Sequence, residues 1–173
     1  MPYYDIVFES CEIDDNLAAR LGFGKILTIP KDVELIELGK RGIGNDKNVI
    51  ASGPVGSLVS AANAGAAAVL VGDAEIDKRL IAAMADNDTV LCMPLSDIMG
   101  LYGLKRSRLM FKMNRLFTYA RKQGVDVSFA TLARSNSTMC SYMQIIELAR
   151  LLGVPEGYAR KSISEVNRRF VVK

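Results

Sequence analysis

Histidine is absent from this 173-residue chain, and tryptophan with it. The missing imidazole removes Ser-His-Asp and Cys-His nucleophilic machinery, His-ligated zinc, and the commonest general base near neutral pH. Cysteine is scarce. Cys11, Cys92 and Cys140 are far apart, odd in number and form no Cys-x-x-Cys, so reduced thiols packed as small apolar residues are expected. No apolar run approaches the ~20 residues of a membrane helix, and Met1-Pro2-Tyr3-Tyr4-Asp5 has neither the positive region nor the apolar stretch of a signal peptide. A proline- or serine-rich linker is also missing. With 50% hydrophobic and 24% charged residues, the expectation is one cytoplasmic globular domain over residues 1–173, without disorder and without a membrane.

Acid is missing from one long stretch, and that absence is the strongest signal. No Asp or Glu occurs from Gly100 through Val125, while Lys105, Arg106, Arg108, Lys112, Arg115, Arg121 and Lys122 crowd into 18 positions. Residues 1–100 hold 8 Lys/Arg against 15 Asp/Glu, a net −7, and residues 101–173 hold 14 against 4, a net +10. The overall +3 hides this polarity. Such a field selects partners more than it shapes a fold, and the basic cluster points to a polyanion, nucleic acid first. The acidic first part could in turn dock a basic protein, with Asp14 and Asp15 as the residues to test.

Six short apolar runs read as strands: Tyr4–Phe8, Ile26–Pro30, Asn48–Ser52, Ala67–Gly72, Thr89–Met93 and Val125–Thr131, with a possible seventh at Phe170–Val172. They are continuous more than alternating, as strands of a helix-covered parallel sheet are. Helical patterns lie between them at Asp14–Leu21, Asp32–Gly39, Ser57–Ala64 and Ala74–Asp86, the second stopped by Gly39 or Gly42 and the last capped by Asp73. Repeated βα units of this kind build either an open doubly wound sheet or a closed barrel. A standard eight-unit barrel needs ~250 residues, so the expected fold is a distorted parallel βα barrel of about seven units.

After Ser96-Asp97, read as a cap, a long helix is predicted from Lys105 to about Gln123, with Gly124 as its stop. Leu109, Met113, Leu116, Phe117 and Ala120 make a core-facing stripe, and Lys105, Arg108, Lys112, Arg115 and Lys122 make a second stripe rotated by about 100°. Like charges at i,i+4 repel by a few tenths of a kcal/mol per pair, and no Glu offsets this. A solvated face with snorkelling stems is the bland account; a phosphate backbone supplying the counter-charge is the functional one. Arg160, Lys161, Arg168 and Arg169, after Pro155, form a second basic set. Elsewhere, Gly53-Pro54-Val55-Gly56-Ser57 reads as a tight βα turn more than a phosphate cradle. Strand-end carboxylates Glu9, Asp73 and Asp97 could hold Mg²⁺, although capping explains two of them equally well.

In order along the chain come Val90-Leu91-Cys92-Met93-Pro94-Leu95-Ser96-Asp97-Ile98, then Gly103-Leu104-Lys105-Arg106-Ser107-Arg108-Leu109 leading into Met113-Asn114-Arg115-Leu116. Tyr119-Ala120-Arg121-Lys122-Gln123-Gly124-Val125 follows, then Leu151-Leu152-Gly153-Val154-Pro155-Glu156 and the pattern Ala159, Ser162, Ser164, Asn167. From about Ile50 to Phe170 this series resembles the barrel-type protein subunit of archaeal and eukaryotic ribonuclease P, protein component 3. Residues 1–49 match weakly and look shortened, although Tyr4-Asp5-Ile6-Val7 resembles that family's opening strand. The family is similar in fold to metal-dependent phosphoesterases of the polymerase-and-histidinol-phosphatase type, which place histidines at strand ends. Phe8-Glu9-Ser10 stands at the first such place here.

The resemblance implies an RNA-bound relative without barrel chemistry. The chain would support the catalytic RNA that removes 5′ leaders from tRNA precursors. The Mg²⁺ would belong to that RNA, a second small protein subunit (component 2) would be a partner, and the isolated chain would be non-catalytic. Its expected RNA contacts are Lys105, Arg106, Arg108, Lys112, Arg115, Lys122, Arg160, Lys161, Arg168 and Arg169, with no catalytic and no metal-binding residue. The alternative is a small βα-barrel metal-dependent phosphoesterase using the strand-end carboxylates.

Overall fold

A computed structural model describes residues 2–8, 10–11, 13–38, 48–71 and 74–171. Seven parallel strands are found among them: β1 (Tyr4–Phe8), β2 (Lys25–Ile29), β3 (Glu34–Glu37), β4 (Val49–Ser52), β5 (Ala68–Leu70), β6 (Val90–Pro94) and β7 (Val127–Ala130). β1 pairs with β2, and β3 to β7 form a second sheet in sequence order. The two sheets meet just past the ladder of β7. Leu132 N–H donates to the Ile6 carbonyl at 2.9 Å, and Phe8 N–H donates to the Ala133 carbonyl at 2.8 Å. The result is a distorted parallel βα barrel running β2-β1-β7-β6-β5-β4-β3.

Two apolar layers follow from the two-residue period of the strands. One parity points inward: Ile6, Leu27, Ile50, Ala68, Cys92 and Ala130 share the barrel interior. The other parity, including Val7, Ile26, Ala51, Val69, Leu91 and Phe129, packs under the helices. Those helices are α1 (Asp15–Leu21), α2 (Val55–Asn63), α3 (Lys78–Asp86), α4 (Ser96–Met99), α5 (Gly103–Lys122), α6 (Tyr142–Leu151) and α7 (Glu156–Lys161). Asp14 caps α1 through Leu17 N–H, and the helix stops at left-handed Gly22 (φ +82°), where a Cβ would collide with the Tyr142 ring. Ser141 and Gln144 form a reciprocal capping box on α6.

The floor of the barrel is closed by the chain after α7. Ser162–Val166 winds as a π turn and Asn167–Phe170 as a 3₁₀ turn, and Val166 and Phe170 enter the interior cluster. The buried Asn167 amide donates to the Tyr4 and Phe129 carbonyls, both at 3.0 Å, and accepts from Ser128 Oγ at 2.6 Å. One side chain thus spans the β1–β7 join. Asp5, also fully buried there, accepts from Thr131 N–H at 2.8 Å, Thr131 Oγ1 at 2.6 Å and Ile6 N–H at 2.9 Å. Desolvation nevertheless pushes its carboxyl up to about 6.

Several expectations change. Glu34–Glu37 within the predicted helix 32–39 is strand β3; the adjacent pair Leu35-Ile36 between two glutamates is too short a pattern to fix either period. Phe170 lies in the 3₁₀ turn and not in a seventh strand, its ring drawn into the barrel floor. α3 begins later than its pattern, capped by Asp77 through the N–H groups of Arg79 and Leu80. Ser96 and Asp97 open the separate turn α4, and α5 starts from Tyr102 without any side-chain cap. Gly53 (φ +140°) is required by close packing, since a Cβ would lie 2.7 Å from the Leu38 carbonyl oxygen. The expected stops Gly39 and Gly42 and the expected cap Asp73 fall outside the described residues.

Candidate nucleic-acid interface

α5 is a 20-residue helix with neither glycine nor proline after its first position, so it runs for about 30 Å. Its inner seam is Met113, Leu116, Phe117 and Ala120, all buried, with Leu109 half-buried against the same core. Each large member contributes about 1.5–3 kcal/mol by leaving water. Asn114 Nδ2 donates to the Leu152 carbonyl at 2.6 Å, tying the middle of α5 to the end of α6. Phe117 packs on Phe129 and edge-on to Tyr158, whose ring lies 4.1 Å from the Arg121 guanidinium. The helix is therefore fixed by its seam and both flanks.

Its polar side is less satisfied. The first turn contains no acid and no cap, although Lys105 and Arg106 stand there against the positive end of the helix dipole. Lys105, Arg108, Lys112, Arg115 and Lys122 are exposed and Arg106 is half-buried. Among the described residues, none of these six is in an ion pair.

Lys105, Arg108 and Lys112 line an open groove of about 580 Å³ with Ser96, Asp97, Gly100, Leu101 and Leu109. Lys112 and Arg115 then border a second depression of about 320 Å³ with Ala74, Glu75 and Ile76. The groove lies beyond the carboxyl end of β6, the end of a βα barrel where ligands gather. Partial desolvation raises the Asp97 carboxyl above its ordinary range, and the nearby Arg134 opposes the rise. Arg134 itself lies over the Phe8 ring, 4.6 Å from its centroid.

The second basic set is built differently. Arg160 is held by Glu156 at 2.8 Å and donates to Tyr3 Oη at 3.0 Å. Lys161 lies 3.5 Å from Asp126, and Arg169 pairs with Asp88 and sits 3.6 Å from Asp126. Asp88 lies two residues before β6 and Asp126 one residue before β7, so Lys161 and Arg169 fasten the floor segment to the amino ends of two strands. Of these four cations, Arg168 alone is exposed with no ion pair among the described residues. α7 packs beside α5 through Tyr158, which meets Phe117 and Arg121. Of the four C-terminal cations expected to contact RNA, Arg160, Lys161 and Arg169 stand in ion pairs with carboxylates of the chain.

Of the strand-end carboxylates, Glu9 and Asp73 fall outside the described residues, and Asp97 faces the basic groove. Among the described residues no three His, Cys, Asp or Glu side chains converge as metal ligands would, and no helix is long and apolar enough to cross a membrane. The exposed aromatic Phe111 on α5 escaped the sequence reading. Its signal was available, since it breaks the apolar stripe and falls among the cations.

No family model and no curated protein matches the chain. Among solved structures, a chain in the cryo-EM structure of archaeal ribonuclease P with mature tRNA superposes with a TM-score of 0.71 at 14% identity, covering 97% of this chain and 79% of that one. The barrel is shared with a chain of archaeal ribonuclease P. Two further solved structures match less fully. A prolidase complexed with N-methylphosphonate-L-proline gives a TM-score of 0.53 at 16% identity over 71% of this chain, and the ochratoxinase of A. niger gives 0.57 at 13% over 80%. This chain spans only 33% of the prolidase and 39% of the ochratoxinase. At these identities the likeness establishes the fold.

Proposed function

We propose that the chain is a protein subunit of a ribonuclease P-type ribonucleoprotein, of the component 3 kind, binding and supporting the RNA that removes 5′ leaders from tRNA precursors. The observation that carries this reading is the cationic side of α5, whose Lys105, Arg106, Arg108, Lys112, Arg115 and Lys122 stand in no ion pair among the described residues. It sits on a barrel whose match in archaeal ribonuclease P extends over 97% of the chain. In this reading Lys105, Arg106, Arg108, Lys112, Arg115 and Lys122 contact phosphates and set the position of the RNA without reading its sequence. Catalysis and its Mg²⁺ belong to the RNA, a second small protein subunit completes the assembly, and the work is done in the cytoplasm.

Reconstitution tests it. The triple variant Lys105→Ala/Arg108→Ala/Lys112→Ala should lower the salt slope of RNA binding by about three units and weaken binding by roughly 10²-fold at physiological salt, from about 0.9 counterions per lost contact. The cleavage position should not move. Normal reconstitution by the triple variant at physiological salt would remove the ridge from the RNA interface. The phosphoesterase alternative makes the opposite demand: stoichiometric metal on the purified chain and turnover of a phosphoester without RNA.

A further inference from the structure

The outermost side of α5 interleaves cations with apolar groups. At about 100° per residue, Leu104, Arg108, Phe111, Arg115 and Lys122 fall within an arc of about 60°, opposite the buried seam of Met113, Leu116, Phe117 and Ala120. Lys105 and Lys112 stand off this line toward the groove. Phe111 is 62% exposed and Leu104 65% exposed. The Arg115 guanidinium lies over one face of the Phe111 ring, 5.8 Å from its centroid, which orients the ring and leaves its other face to solvent. Arg108 precedes the ring by one turn on the same line.

We infer that Phe111 is a stacking platform for an unpaired base of an RNA whose flanking phosphates lie on Arg108 and Arg115. A single nucleotide brings both things this line lacks, a flat π face for the ring and negative charge for the guanidinium groups. An apolar protein surface covering Phe111 would bury the flanking cations without counter-charge. A blunt duplex offers phosphates but hides its base faces in the stack, so the ligand is a bulged, looped or single-stranded segment. This inference rests on the RNA-binding reading given above and adds the class of RNA element that α5 meets.

Because the chain has no tryptophan, Phe111→Trp supplies a single reporter at the site. Emission from Phe111→Trp should be quenched by a short oligouridylate and left unchanged by a blunt RNA duplex of the same length. Phe111→Leu, which keeps apolar bulk at an exposed position, should weaken oligouridylate binding roughly 5- to 150-fold, the worth of one stacked base. It should leave duplex binding and the salt slope unchanged, and Phe111→Tyr should restore affinity. Unquenched emission with oligouridylate bound, or equal losses for both RNAs in Phe111→Leu, overturns the stack while leaving the phosphate ridge in place. Failure of the unaltered chain to bind either RNA overturns both.

Discussion

Helix α5 and the floor segment around residues 160–169 carry the same kind of charge to opposite ends. Lys105, Arg106, Arg108, Lys112, Arg115 and Lys122 of α5 stand in no ion pair among the described residues, and Lys105, Arg108 and Lys112 border a groove beyond the carboxyl end of β6. Arg160, Lys161 and Arg169 are spoken for by Glu156, Asp126 and Asp88. A count of Lys and Arg treats the two regions alike. Pairing separates them: six cations of α5 stand in no ion pair among the described residues, and three of the other set are paired with carboxylates of the chain.

That division can be broken experimentally, and the largest effect should come from the floor. Asn167→Ala strips the Tyr4 and Phe129 carbonyls of a donor and Ser128 of an acceptor, all at a buried site. At about 1–3 kcal/mol per orphaned group, a loss of about 4 kcal/mol is expected in urea denaturation. The folded fraction should bind RNA with an unaltered salt slope. An unchanged denaturation midpoint would mean that the β1–β7 join does not depend on this clamp.

Asp5 at the same join gives the next effect, visible in pH. Its carboxyl is raised from 3.8 to about 6 by burial, so between these values the folded protein binds the proton that the unfolded chain releases. Its contribution is fully present below about pH 4 and is lost as pH rises through 6, by about 3 kcal/mol. Asp5→Asn should lack this fall, so the stability difference between the two proteins should shrink in that window and favour the variant at pH 7. A difference that stays level from pH 4 to 7 contradicts the burial cost.

The smallest effect sharpens the contrast most. The exposed ion pairs of Lys161 and Arg169 are each worth at most about 1 kcal/mol, so Lys161→Ala/Arg169→Ala should lower stability slightly and leave the RNA salt slope alone. Arg108→Ala should do the reverse, lowering the slope by about one unit with no change in the unfolding midpoint. If the two variants exchange phenotypes, pairing does not distinguish the regions.

The barrel was largely legible because six of the seven described strands fall on short apolar runs between turn residues, and α5 because its seam from Leu109 to Ala120 holds the helical period for about three turns. Its unpaired charge was legible too, since no acid lies within reach along that helix. Glu34–Glu37 was misread because a four-residue segment cannot separate a period of two from one of 3.6. The fate of Lys161 and Arg169 could not be read, because Asp88 and Asp126 lie far away in sequence and only the closed barrel brings them near, whereas Glu156 and Arg160 stand four residues apart on one helix. Phe111 could have been found by asking why an aromatic falls among cations.

The Asn167 clamp joins residues 163 positions apart. On a ribosome adding roughly 5–20 residues per second, Tyr4 emerges roughly ten to thirty seconds before the side chain that will hold it. Until β7 is made, the nascent β1–β2 pair has an unpaired edge where β7 belongs, which makes it a natural client for a chaperone during synthesis.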